Sequence, residues 1–163
     1  MNRTEKEGLI VRYETAFEPI RNLVKDLSAK ELSFLPDLPE AWSINEHLVH
    51  LLEADLICWY RIRASIAEPG VTIPVWNQEA WRSRLGYADM DGVGCLSEAV
   101  RVRALVGRTC RGALDGDWSA YHVIHPERGR MDLAQLLEVY ANHASFHVPY
   151  IERNLKVLGE RSA

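Results

Sequence analysis

Apolar residues recur at steps of three and four positions along four segments of the chain, and no segment alternates convincingly as a strand would. Such spacing places an apolar stripe along one face of a helix. Helices that are apolar on one side bury those sides most simply against one another. The pattern therefore predicts an all-α fold, a four-helix bundle, formed as a single domain over residues 1–163.

The first apolar stripe runs from residue 9 to residue 27 and contains Pro19. Proline lacks an N–H and crowds the carbonyl four residues earlier, so we expect the helix to bend there. Residues 28–31 (SAKE) match the S-x-x-E capping box, which predicts a short extra turn. Two prolines within residues 34–41 indicate a loop.

The second helix is predicted from residue 44 to residue 64, because residues 43–46 (SINE) form another capping box. A long connection over residues 71–94 follows, with a short helix expected over residues 77–85. The third helix is predicted over residues 95–114 and a loop over residues 117–130. The fourth opens with a D-x-x-Q box at residue 132 and continues to residue 158, with a kink expected at Pro149.

Composition narrows the function classes. A formal net charge of -4 argues against nucleic-acid binding by bulk charge, because phosphate neutralisation needs a basic face. No stretch approaches the ~20 apolar residues of a membrane span, and the first residues lack the apolar core of a secretory signal. The three widely spaced cysteines are typical of reduced thiols, so the sequence predicts a cytoplasmic protein.

The six histidines are the unusual feature of this composition. His143 and His147 lie four residues apart on the fourth helix, a step that rotates by only about 40° around the helix axis. Both rings therefore project from one face, one turn apart, where two imidazoles can bind one ion. The alternative interpretation is a stacked pair at the surface or in the core.

His50 lies on the second helix among polar neighbours. Taking 100° per residue, Ser43, Glu46, His47 and Arg61 all lie within about 60° of its direction. This flank suits a cavity better than a tightly packed core. Taken alone, His50 would be interpreted as a hydrogen-bonded histidine at the edge of the core.

Two strings of the sequence carry a resemblance to a known family. Residues 42–55 (WSINEHLVHLLEAD) and residues 133–147 (LAQLLEVYANHASFH) resemble the second-helix and fourth-helix motifs of the DinB/YfiT-like metalloprotein superfamily. Residues 77–79 (NQE) and 125–129 (HPERG) are also similar to common features of that family. The resemblance implies an up-and-down-related four-helix bundle with one divalent metal ion, held by His50, His143 and His147.

Three neutral imidazoles suit a borderline ion such as nickel or zinc and leave coordination positions open. Members of the superfamily include thiol-dependent S-transferases. The resemblance therefore implies an enzyme that transfers a low-molecular-weight thiol to a small electrophile, or one that performs metal-assisted hydrolysis. The alternative is a non-catalytic metal-binding stress-response module or a partner-binding helical bundle. The resemblance also implies a homodimer.

Three residues are candidate neighbours of the metal ligands. His47 lies one turn before His50 and is interpreted as a fourth ligand, a proton shuttle, a residue that supports the ligands or a solvent-facing side chain. Glu46 is a candidate for orienting an imidazole, as carboxylates often do. Tyr140 lies near the face of His143 and His147, where it would line a pocket or simply pack in the core.

Two further pairs receive no role at the site. Arg101 and Arg103 are interpreted as part of a solvated helix face, although either could bind an anionic substrate group. His122 and His125 are expected in the loop before the fourth helix; the alternative for His125 is that it reaches the mouth of the cavity.

Overall fold

The computed structural model describes residues 1–162. Its helices are α1 (Arg3–Thr15), α2 (Glu18–Val24), α3 (Ala29–Leu32), α4 (Ile44–Ala67), α5 (Gln78–Leu85), α6 (Gly92–Gly112) and α7 (Leu133–Ser162), with a 3₁₀ turn at Tyr87–Asp89. Its strands are β1 (Val71–Thr72), β2 (His122–His125) and β3 (Gly129–Asp132). Ala163, which the single-domain prediction includes, lies outside the described residues.

The four long helices close into a bundle. Helix α4 packs against α6 and α7, while α1 packs against α7 and α6. The predicted all-α bundle is therefore confirmed as the architecture. Two apolar clusters fill it, one around Ile62, Val106 and Leu137 and the other around Leu48, Ala144 and Ile151.

Capping explains where α4 begins. The Ser43 side chain accepts a hydrogen bond from the Glu46 amide at 3.2 Å, and the Glu46 carboxylate accepts one from the Ser43 amide at 2.8 Å. This reciprocal pair satisfies two amides that the helix itself leaves without partners. Because the cap fixes the first turn, it also fixes which face of α4 carries the two histidines that follow.

Pro19 produces a break rather than a bend in the first predicted helix. Helix α1 ends at Thr15 and α2 starts at Glu18, so Pro19 falls in the first turn of a new helix. The missing N–H of proline has no cost in that position. Pro149, by contrast, does not end its helix, because α7 continues through it to Ser162. Helix α7 thus ends four residues beyond the predicted residue 158.

Arg103 lies at the centre of the bundle, and its interpretation as part of a solvated face is wrong. Its side chain is 0% exposed. From α6 it donates to the Asp55 carboxylate of α4 at 2.7 Å, to the Tyr13 carbonyl of α1 at 2.6 Å and to the Tyr140 carbonyl of α7 at 3.0 Å. One guanidinium thus ties all four long helices together.

The fold also contains a small three-stranded sheet, although the sequence predicts no strand. Strand β2 pairs with β1 in parallel and with β3 as an antiparallel hairpin. His122 and His125 therefore lie on β2 rather than in the predicted loop. The strands are only two to four residues long, too short for an alternating pattern to be visible.

Within residues 1–162, no helix combines the length and the apolar character that crossing a membrane requires.

Candidate metal centre

Two neighbouring helices of the bundle carry the histidines of the candidate site. Helix α4 presents His47 and His50, and α7 presents His143 and His147. Since α4 packs against α7, the two pairs meet between these helices. The i, i+4 spacing of His143 and His147 places both rings on the face of α7 that looks toward α4.

Three ring nitrogens converge on one point. The Nε2 atom of His143 lies 3.2 Å from Nε2 of His50 and 3.0 Å from Nε2 of His147. The ligand atoms of these three residues all lie within 4.8 Å of one another. The structure therefore brings together the three residues that the sequence analysis proposed as a set.

The two short nitrogen–nitrogen distances, both to His143, fit a bound metal ion. Two imidazoles that coordinate one ion at about 2.0–2.1 Å have nitrogens roughly 2.9–3.4 Å apart. A neutral imidazole also carries only one N–H, so three facing nitrogens cannot all be satisfied by donating to each other. Nitrogen lone pairs of these rings therefore remain directed at the convergence point, where a divalent cation could bind them.

Burial keeps these imidazoles neutral. Burial and, to a smaller extent, the neighbouring His143, His147 and His47 lower the pKa of His50 from its ordinary 6.5 to about 2. Burial likewise lowers the pKa of His47 and of His143 to about 3, and that of His147 to about 4. The rings are therefore neutral near neutral pH, and each keeps one nitrogen lone pair that a metal ion could bind.

His47 contacts the set from one side. Its Nδ1 atom lies 3.0 Å from Nδ1 of His147, the ring nitrogen of His147 that faces away from the convergence point. A hydrogen bond to the outer nitrogen of a ligand is a recurrent way to fix its ring and tautomer. The interpretation of His47 as a solvent-facing side chain is wrong, because the residue is only 5% exposed.

Tryptophan rings hold His50 in place. The Trp76 ring stacks on His50 at 5.0 Å with an interplanar angle of 10°, and Trp42 meets it edge-on at 5.1 Å. Nδ1 of His50 is buried and has no hydrogen-bond partner among residues 1–162. Ring packing, rather than a hydrogen bond to Nδ1, therefore holds this side of the imidazole.

Glu46 and Tyr140 make contacts away from the convergence point. Besides capping α4, the Glu46 carboxylate accepts a hydrogen bond from Arg82 at 2.8 Å, so both of its oxygens are engaged without an imidazole. The Tyr140 hydroxyl accepts one from Arg61 at 3.0 Å. The role predicted for Glu46 in orienting an imidazole thus has no contact to support it.

A cavity of about 320 Å³ opens beside His143 and His147, and we call it the mouth cavity. Aromatic side chains of α7 line it, with Phe146 60% exposed and Tyr150 37% exposed. Arg153, which sequence reasoning missed, lies 5.4 Å from the Tyr150 ring. This cavity gives a small molecule access to two of the three convergent imidazoles.

A second cavity, of about 220 Å³, lies against His143 and next to the β2–β3 turn; we call it the hairpin cavity. Arg61, Trp76, His125 and Arg128 line it. Sequence reasoning missed this site, although Arg61 shares the helix flank of His50. Gln78 of residues 77–79 and His125 and Arg128 of residues 125–129, to which the family resemblance assigned no role, therefore lie together here.

Comparison with known proteins identifies the family. The model of the DinB superfamily matches residues 12–151, which is most of the chain. The chain belongs to the DinB superfamily. This membership confirms the resemblance seen in the two helical motifs. No curated protein matches the chain.

Among solved structures, this DinB-superfamily chain is similar to YfiT from Bacillus subtilis. The two share 18% sequence identity and align with a TM-score of 0.86 over 98% of this chain and 90% of YfiT. YfiT is described as a probable metal-dependent hydrolase with an unusual four-helix bundle topology. At this identity the likeness establishes the fold.

Proposed function

We propose that this protein is a metal-dependent hydrolase in which His50, His143 and His147 hold one divalent ion. The convergence of three Nε2 atoms beside the mouth cavity carries the proposal. The description of YfiT as a probable metal-dependent hydrolase supports it. Three imidazoles suit nickel or zinc, which are our first choices for the ion.

The chemistry divides between the ion and the chain. A divalent ion with open positions lowers the pKa of a bound water or thiol and polarises a carbonyl. The chain's own groups hold the proposed ligands in place: Nδ1 of His147 is hydrogen-bonded to Nδ1 of His47, and the rings of Trp42 and Trp76 pack against His50. The exposed rings of Phe146 and Tyr150 offer apolar surface to a substrate in the mouth cavity.

Metal content tests the site. The protein and its His143→Ala/His147→Ala variant are purified identically, and bound nickel and zinc are measured by mass spectrometry. We expect one ion per wild-type chain and at least a tenfold lower content in the variant, because one remaining imidazole binds weakly. Equal metal content in the two proteins would contradict the proposed ligands.

Turnover tests the activity. An activated ester such as p-nitrophenyl acetate is offered to metal-loaded protein, to chelator-treated protein and to chelator-treated protein after metal is restored. The hydrolase proposal expects activity that is lost with the metal and recovered with it. Strong thermal stabilisation by the metal without turnover on any ester would instead favour the non-catalytic metal-binding module.

Thiol S-transfer is the second candidate, and the hairpin cavity favours it. His143 lines both cavities, so two reactants have room on two sides of one imidazole. Hydrolysis needs one organic substrate, whereas transfer of a low-molecular-weight thiol to an electrophile needs two. Product formation from cysteine and chlorodinitrobenzene, dependent on the metal and faster than ester hydrolysis, would select transfer.

We also propose a cytoplasmic homodimer that acts on a small molecule. The free thiols of Cys58, Cys95 and Cys110 support a reducing compartment. On α4, Leu56, Trp59 and Tyr60 are 44%, 38% and 48% exposed, an apolar surface of the kind that dimers cover. Sedimentation at the monomer mass at micromolar concentration would contradict the dimer.

A further inference from the structure

Arg61 brings a cation without a carboxylate partner to the hairpin cavity. Its guanidinium donates to the Tyr140 hydroxyl at 3.0 Å and to the Pro74 carbonyl at 3.0 Å. No acidic side chain among residues 1–162 forms an ion pair with it. Because guanidinium has five N–H donors, these two neutral acceptors fix its position and leave donors available to a ligand.

A second guanidinium lies close by. Arg128 lines the same cavity from the β2–β3 turn, and it and Arg61 both contribute to lowering the pKa of His125, after burial itself. Glu127 is the acidic residue in the cavity wall, and it is exposed to solvent. Two arginines against one exposed carboxylate make this cavity electropositive at neutral pH.

We propose that the hairpin cavity binds the anionic group of a substrate, a carboxylate or a phosphate, through Arg61 and Arg128. Arginine presents paired N–H groups that match both oxyanions, which is why it recurs in such sites. Assigning the anion to a substrate rests on the function proposed above, whereas the anion site itself depends only on residues of the cavity.

Size and position agree with this assignment. A volume of 220 Å³ equals the liquid share of about seven water molecules, enough for an oxyanion and a short adjoining segment. His143 forms part of the wall, so an anion held by the arginines has its attached group beside a proposed metal ligand. The cavity would thus anchor one end of a substrate whose other end reacts.

Anion binding is tested on the full-length chain after chelator treatment, so that no metal ion competes for the probe. Inorganic phosphate and malonate are titrated separately at pH 7.5 and constant ionic strength, with chloride as the matched control. The readouts are the NMR signals of the Arg61 Nε–H and of the Trp76 indole N–H. Trp76 lines this cavity, and its indole N–H is buried without a hydrogen-bond partner among the described residues.

We expect saturable shifts with at least one oxyanion and none with chloride. Arg128→Gln changes an exposed side chain, so it should fold normally and weaken binding roughly tenfold, as expected for one charged hydrogen bond. Arg61→Gln should weaken it at least as much, and Arg101→Gln, on an exposed face of α6, should leave it unchanged.

The two probes distinguish the sources of the anion, since saturation by phosphate alone assigns a phosphate group and saturation by malonate alone a carboxylate. Linear shifts with both probes, or equal affinities in wild type and Arg128→Gln, would overturn the proposal. Because the titration uses neither metal nor turnover, its failure is separate from failure of the proposed function.

Discussion

The hydrogen bond between Nδ1 of His47 and Nδ1 of His147 links the tautomers of these two rings to the nitrogens at the convergence point. If the Nε2 lone pair of His147 faces the convergence point, its proton resides on Nδ1 and is donated to Nδ1 of His47, 3.0 Å away. His47 then carries its own proton on Nε2, which is buried without a partner among the described residues. The Trp42 ring, stacked 5.4 Å from His47, keeps the pair aligned.

Replacing His47 should therefore weaken metal binding without removing a ligand. In His47→Phe the His147 N–H loses its acceptor, and we expect affinity for zinc to fall by about 10–100-fold, as loss of such supporting bonds generally causes. His47→Gln keeps an oxygen that can accept the proton and should recover part of that loss. Competition with a chromophoric chelator measures each affinity.

The melting temperature of each metal-free variant serves as the control for a purely structural effect. Zinc affinities that are equal in wild type and His47→Phe would show that His47 does not act through His147.

Sequence spacing could predict some residues of the site and not others. His143 and His147 lie one helical turn apart, so their proximity follows from local geometry, and the family resemblance added His50. Arg103 shows the opposite case, because arginine is usually exposed and only the packing of α6 against α4 brings it to Asp55. Arg61 lies on the flank of His50, but its cavity exists only where a distant hairpin folds over it.

At the scale of elements, a close contact between Gly92 and Asn45 determines how near the start of α6 lies to α4. The Gly92 amide donates to the Asn45 side-chain oxygen at 3.0 Å, and the Asn45 amide donates to the carbonyls of Tyr87 and Met90, each at 3.0 Å. A Cβ on Gly92 would lie 2.9 Å from the Asn45 backbone carbonyl oxygen. Only glycine therefore lets the start of α6 approach α4 this closely.

Gly92→Ala should consequently destabilise the protein. The added methyl group forces the two helices apart or breaks the Asn45 bonds, for which we expect a loss of about 1–3 kcal/mol in the free energy of unfolding. Urea denaturation measures the difference from wild type.

Gly8→Ala provides the matched control, since Gly8 lies inside α1 and the added Cβ meets no atom of residues 1–162 within 4 Å. This variant should be stabilised by up to about 1 kcal/mol through helix propensity alone. If both alanines changed stability equally, the contact at Gly92 would have no role.

The elements differ in how far sequence could anticipate them. Long helices such as α4 repeat their apolar positions over several turns and begin at recognisable capping boxes, so their existence was predictable. The sheet depends on pairing Val71 with Val123, residues distant in sequence whose strands are too short for periodicity to be visible. Such pairing is decided by the bundle that holds the two segments together.

At the scale of the whole molecule, four histidines are kept neutral, with His47, His50 and His147 buried and His143 partly buried. Their pKa values lie between about 2 and about 4 in the folded protein, against about 6.5 in an unfolded chain. Above pH 6.5 both states are neutral at these positions. As pH falls below that value, the unfolded chain takes up protons that the folded protein does not, so the free energy of unfolding decreases.

For metal-free protein we expect stability to fall from pH 7 toward pH 5, by up to about 1.4 kcal/mol per pH unit for each such histidine. Urea denaturation at a series of pH values measures the slope.

In His143→Gln/His147→Gln two of the four histidines no longer titrate, so the contribution of the histidines to this slope should shrink by about half. Burial raises the pKa of Asp55 to about 6 and gives it the opposite slope, but it titrates in both proteins and cancels in the comparison. Because the slope is compared rather than the absolute stability, a general destabilisation by glutamine does not obscure the result. Identical slopes in the two proteins would mean that His143 and His147 take up protons in the folded state, and that the convergent nitrogens are not held ready for a metal ion.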